Sequence, residues 1–235
     1  MNVSTRRVAQ FGLLTALSLV LGYLDRAIPV TWFLSGAVPG IKLGLANTVL
    51  LYAVYLMDWK ACVLLMLTKV CLSGFLFGSL SAILYSLSGG VLSLAVMLLV
   101  RRAPRAGALT ISGLALGSVA ALWVQHPTPK GQILWCMILI GVAGLAALAV
   151  FFVIRRRPRY QVLGVSLAGA VAHNIGQILM ASAVMRTPQL LYTYLPVLVG
   201  IGAVVGFLTG LIAKRVFQAL RINPTSGARK MGGVV

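Results

Sequence analysis

Residues 82–102 read AILYSLSGGVLSLAVMLLVRR, an uncharged run closed by two arginines. A helix needs about 20 predominantly apolar residues to cross the hydrocarbon core of a bilayer, and this run supplies them. The arginine pair at its end is the mark that membrane helices carry where they leave the lipid. The same pattern recurs on both sides of it. Hydropathy places spans at about 8–23, 41–57, 61–78, 82–100, 108–124, 133–154, 162–185 and 190–213. Pro39-Gly40, Asp58-Trp59-Lys60, Pro127, Pro129 and Pro188 fall in the separators, as breakers should. The expected fold is therefore all-α and integral to the membrane, with eight transmembrane helices.

Composition agrees with this reading. The chain is 60% hydrophobic and 9% charged, with a mean hydropathy of +1.01, outside the range of a soluble domain. Twenty Lys and Arg face two acidic residues, Asp25 and Asp58, for a formal charge of +18. The basic residues form short clusters between apolar runs rather than a patch interleaved with aromatics, so nucleic acid is not the expected partner. If the eight spans alternate, Arg6/Arg7, Lys60, Arg101/Arg102/Arg105, Arg155/Arg156/Arg157/Arg159 and Lys214/Arg215/Arg221/Arg229/Lys230 share one side. By the positive-inside rule that side is the cytoplasm of a cell-membrane protein, and both termini lie there. No small-x-small cleavage site follows the first apolar run, so that helix is expected to be retained. The tail beyond Arg221 lacks apolar periodicity and is expected to be disordered.

The inventory excludes most chemistry. With two isolated aspartates the chain has no carboxylate pair to hold Mg²⁺ or to share acid and base roles. It contains no GxxxxGK[ST] loop, CxxC, HExxH or GxSxG, and His126 and His173 are too far apart in sequence to suggest a haem pair. Cys62, Cys71 and Cys136 sit in apolar runs and read as small hydrophobes. No catalytic residue, intrinsic cofactor or metal site is expected; the chain is read as no enzyme.

Polar residues at membrane depth are costly, so each asks for a reason. Lys69 lies mid-span between LLMLT and VCLSG. Lys42 opens the second span, with Asn47 deeper in it. His173-Asn174 sits in the middle of the seventh, and Gln177 shares a helix face with His173. These groups come from three helices and are expected to converge on one polar cavity. Two lysines favour an anionic or amide-rich ligand, and Asp25, at the end of the first helix, is a possible counter-ion. Small residues run through the spans: Gly12-x-x-x-Ala16 in the first, Gly74-x-x-x-Gly78 in the third, and Gly202-x-x-x-Gly206-x-x-x-Gly210 in the last. They read first as packing within the chain. Gly12 and Ala16, on the helix expected at the bundle edge, are the candidate face for docking a separate subunit.

The strings VPGIKLGLANTVLLYAVYL (38–56), LSGFLFGSLSAILYSLSGGVLSLAVMLL (72–99), LGVSLAGAVAHNIGQILMA (163–181) and YLPVLVGIGAVVGFLTGLIA (194–213) resemble successive blocks of the Gx transporter family. That family is also described as heptaprenyl diphosphate synthase component I. It resembles in turn the S components of energy-coupling factor (ECF) transporters, which capture vitamins and related cofactors. The resemblance implies that Lys42, Asn47, Lys69, His173, Asn174 and Gln177 line a substrate site beneath a PGIKLG lid. Relatives commonly carry Arg at the place of Lys69 and Glu near Asp25. They also lack most of 103–160, so the implied layout is an S-component-like six-helix bundle with a two-helix insertion. Residues 1–102 would give its first four helices, 103–160 the inserted hairpin, 161–214 the last two helices and 215–235 the tail.

The resemblance thus implies a membrane subunit that captures a small cofactor or precursor from the outer side. Its energy would come from an ECF-type coupling subunit and ATPases. Two other roles stay open. One is a membrane anchor or assembly partner for an extracytoplasmic redox subunit, with flavin- or quinone-type cargo. The other is a non-catalytic accessory to polyprenyl diphosphate synthesis, whose catalytic partners bind diphosphate through aspartate-rich motifs that this chain lacks.

Overall fold

The computed structural model describes residues 3–27, 44–77, 80–102, 161–187 and 189–221. They form six helices: α1 (Val3–Ala27), α2 (Asn47–Leu56), α3 (Trp59–Phe77), α4 (Leu80–Arg102), α5 (Gln161–Met185) and α6 (Gln189–Ala219). No strand occurs among the described residues. The spans expected at 108–124 and 133–154, the lid at 39–44 apart from Gly44, Lys42 and the tail beyond residue 221 lie outside them.

The five helices other than α2 each contain a stretch long and apolar enough to cross a membrane. The chain is a multi-pass helical membrane protein. Its second span departs from expectation. A helix was expected from residue 41, but α2 starts at Asn47 and has 10 residues, about 15 Å of rise. Gly44 explains the late start. Its φ of +85° is incompatible with a right-handed helix, and the turn at Leu45-Ala46 follows directly.

The five long helices are neighbours in the order α1, α3, α4, α5, α6, and every one of them also touches α2. The short helix is thus the axis of the bundle. Val49, Leu50, Leu51, Ala53 and Val54 are buried to the last 1%. They join Leu65, Met66, Met97, Val165 and Phe217 in the main core. Large apolar side chains also face outward, among them Val8, Leu13, Phe75, Leu80, Val204 and Ile212. On a soluble domain that would be a liability; here it is the lipid-facing surface.

Helix α5 is buried at every position from Val162 to Ile178, and glycine makes this possible on two sides. A Cβ placed on Gly176 would stand 2.8 Å from both the Cα of Gly89 and the carbonyl of Ser88. The α4 and α5 backbones therefore meet directly. On the other side, a Cβ on Gly202 would meet the Asn174 amide at 2.7 Å. One on Gly206 would meet Ala170 Cβ and Leu167 Cα at 2.8 Å, and one on Gly210 would meet Ser166 Cβ at 3.0 Å. The GxxxGxxxG row of α6 packs within the chain, against a matching row on α5 spaced four residues apart.

Hydrogen bonds cross these seams. Asn47 Nδ2 donates to Ser93 Oγ at 2.6 Å, and Ser93 Oγ donates to the Gly169 carbonyl at 2.8 Å, which links α2, α4 and α5 in series. Ser88 Oγ donates to Gly176 O at 2.9 Å. Between α5 and α6, Ser166 Oγ donates to Gly206 O at 2.8 Å and Asn174 Nδ2 to Leu198 O at 2.7 Å. Without water, each such group must find its partner inside the bundle.

Gly176→Ala is expected to destabilise the protein by about 1–3 kcal/mol, because its methyl group meets main chain that cannot rotate away. Gly12→Ala, where nothing lies within 4 Å, should be neutral or slightly stabilising. Thermal unfolding of detergent-solubilised protein separates the two.

Candidate functional site

Asp25 stands near the C-terminal end of α1 and is 2% exposed. Its Oδ2 accepts the Gly44 N–H at 3.0 Å. The residue at the α2 N-cap, Ala46, has no side chain that could cap, and the first turn of α2 carries no acid. A carboxylate from α1 therefore supplies the negative charge that the N-terminus of α2 lacks.

His173, in the middle of α5, is 5% exposed and lies between two glycines. A Cβ on Gly44 would come within 3.1 Å of its Cδ2, and one on Gly89 within 2.8 Å of its Nδ1. Any other residue at either place would push the imidazole aside. Gln177, one turn on, hydrogen-bonds His173 Nε2 from behind and fixes the ring plane.

These elements surround a small cavity into which polar side chains reach. Ser18 and Asp25 of α1, Lys69 and Ser73 of α3, Ser86 of α4, His173 of α5, and Gly44 ahead of α2 all line it. It offers water-sized molecules about 20 Å³, room for one or two waters rather than an organic ligand. A cation and an anion from separate helices thus share a small compartment with an imidazole. In low dielectric such groups attract polar or charged partners strongly.

The structure brings together Lys69, His173 and Asp25, with Gln177 directly behind the imidazole. It places two other expected residues elsewhere. Asn47 is occupied with Ser93, and Asn174 reaches the opposite face of α5 toward Leu198. Both are bundle ties, and neither lines the cavity. Lys42 lies outside the described residues. Ser18, Ser73 and Ser86 were missed, since a serine in an apolar span carries no signal apart from the turn it occupies. Among the described residues, no group of three or more His, Cys, Asp or Glu could hold a metal. Gly12 and Ala16 are both exposed on the outer face of α1.

Fold and cavity together define a polytopic helical membrane protein with charged groups meeting between its spans. The chain matches the family described as heptaprenyl diphosphate synthase component I over residues 14–128 and 127–216. It belongs to that family. No curated protein and no solved structure matches it.

Gly44→Ala forces an alanine into a left-handed conformation and against His173; a loss of about 1–3 kcal/mol is expected. Asp25→Ala leaves the buried Gly44 N–H without its acceptor and should cost about the same. Asp25→Asn, which keeps an oxygen there, should cost less than Asp25→Ala in the same chemical-denaturation assay.

Proposed function

We propose that this protein is a non-catalytic membrane subunit that captures a small polar solute in the Asp25–Lys69–His173 cavity. The observation that carries the reading is the convergence of these three side chains, from α1, α3 and α5, on one compartment between membrane spans. Charge at that depth is too costly to serve packing that serine or glycine could provide. Lys69 would meet an anionic or amide oxygen of the ligand, His173 would give or take a hydrogen bond, and Asp25 would balance charge. Lys42 is assigned to the same site on sequence grounds.

The cavity of about 20 Å³ is a closed form. A cofactor-sized ligand enters when α1 and α3 separate. Both helices are lipid-facing along much of their length, so their separation disrupts less core than movement of α5 would. Entry from the outer side, a plasma-membrane location with both termini cytoplasmic, and an S-component-like bundle energised by a coupling subunit and ATPases complete the reading. Gly12 and Ala16 would then be the docking face.

A second reading is favoured by the family description itself: an accessory component of heptaprenyl diphosphate synthesis. In that case the catalytic aspartates belong to a soluble partner, and this chain anchors or feeds it at the membrane. A soluble synthase subunit that co-purifies and loses activity without this chain would favour the accessory role.

Native mass spectrometry of gently extracted protein tests the first reading. Wild type should carry a small-molecule cargo, and Lys69→Ala and His173→Ala should each lower its occupancy by about tenfold or more, the effect of losing one buried charged or hydrogen-bonded contact. Cargo retained at wild-type occupancy in both variants removes this cavity as the site.

A further inference from the structure

Arg101 closes α4 at the basic end of the bundle, opposite the cavity, yet it is 5% exposed. Its Nη1 donates to the carbonyl of Val54 in the last turn of α2. Its guanidinium carbon sits 5.0 Å from the centre of the Tyr55 ring. The negative end of α2 and the face of the aromatic ring stabilise the charge in part. Neither is a counter-ion. The chain's two acids are both committed elsewhere: Asp25 accepts the Gly44 N–H, and the exposed Asp58 pairs with Arg7 at 4.0 Å.

A guanidinium has five N–H donors on three nitrogens. Among the described residues, the Val54 carbonyl is the one hydrogen-bond acceptor given to the Arg101 guanidinium. The hydroxyl of Tyr55, on the ring that the guanidinium covers, is buried and likewise without a hydrogen-bond partner. A buried cation with parallel donors to spare, beside an unsatisfied phenol, is the arrangement that a phosphate or carboxylate completes. The surrounding rim draws anions toward it, since Arg7, Lys60, Arg102 and Arg215 are exposed at the same end.

We infer that Arg101 and Tyr55 form a second binding site, for a phosphate group, at the basic end of α2 and α4. The group is presented by a phospholipid headgroup or as free phosphate; the chemistry of recognition is the same. Arg101 takes two phosphate oxygens through its remaining donors, and Tyr55 contributes a donor once its ring shifts toward the group. This site shares no residue with the Asp25–Lys69–His173 cavity, so either assignment can fail alone.

Two measurements on the intact chain test it. Native mass spectrometry after transfer from phosphatidylglycerol nanodiscs into mild detergent reads a retained lipid. Thermal stabilisation on titration with inorganic phosphate in delipidated protein reads the free anion. One phospholipid retained per chain assigns the headgroup, and saturable stabilisation assigns free phosphate; either result supports the site. Arg101→Lys keeps the charge and loses the fork, so it should weaken the interaction by about tenfold. Arg101→Gln should abolish it, while Arg186→Gln, an equal loss of charge at the exposed far end of α5, leaves it unchanged. If Arg101→Gln does not fold, wild type and Arg101→Lys decide. The inference is overturned if wild type neither retains lipid nor responds to phosphate, or if Arg101→Lys binds as wild type does.

Discussion

Gly176 and Gly89 bring the α4 and α5 backbones so close that one methyl group on Gly176 would strike the main chain opposite. The rest of the interior depends on that approach. It lets Ser88 reach the Gly176 carbonyl and lets Ser93 bridge Asn47 to Gly169. It also leaves a slot beside Gly89 into which the His173 ring fits. In a bilayer no hydrophobic effect drives helices together, so close packing and buried hydrogen bonds must do so. Small residues supply both, and α5 uses them on two faces at once.

The cavity occupies the space that this packing leaves between α5 and the α1–α3 side. Its charged residues are supported by backbone as much as by one another. Asp25 is held by the N–H of a left-handed glycine at the start of the short helix. His173 is held by a neighbour one turn away and by two residues that have no side chain. A site built this way fixes its imidazole firmly. Lys69, half-buried on α3, belongs to a more lipid-exposed helix. The α5 side of the cavity is thus set in protein on all sides, while the α1–α3 side is backed by helices that bury far less of their length.

Much of this was legible from the amino acids. Apolar run length located α1, α3, α4, α5 and α6, because a membrane span must bond its own backbone and has few alternatives to a helix. The expense of placing polar groups in a span points to Lys69 and His173, with Asp25 as a counter-ion, and all three line one cavity. Hydropathy failed where it cannot distinguish lipid from protein interior. Residues 41–57 look like a full span, yet Gly44 is left-handed and α2 begins only at Asn47, a short core element. Periodicity gives faces, not neighbours, so nothing in the sequence showed that the Asn47 and Asn174 amides reach across to Ser93 and Leu198. Arg101 was read as one of several topological markers. Nothing in RR distinguishes the buried arginine from the exposed one; that difference comes from the carbonyl of Val54, far away in sequence.

Helix α6 has 31 residues, a rise of about 46 Å against a hydrocarbon core of about 30 Å. Such a rod must lean or protrude. It is fastened to α5 along one glycine seam, at Gly202, Gly206 and Gly210, and carries Lys214 and Arg215 past that attachment. That overhang is not loose: Ala213 and Phe217, beyond the seam, are buried in the main core, with the Phe217 ring edge-on to Tyr52 and Tyr55. Any tilt of α6 is thereby transmitted to the short central helix instead of being spent at the membrane surface.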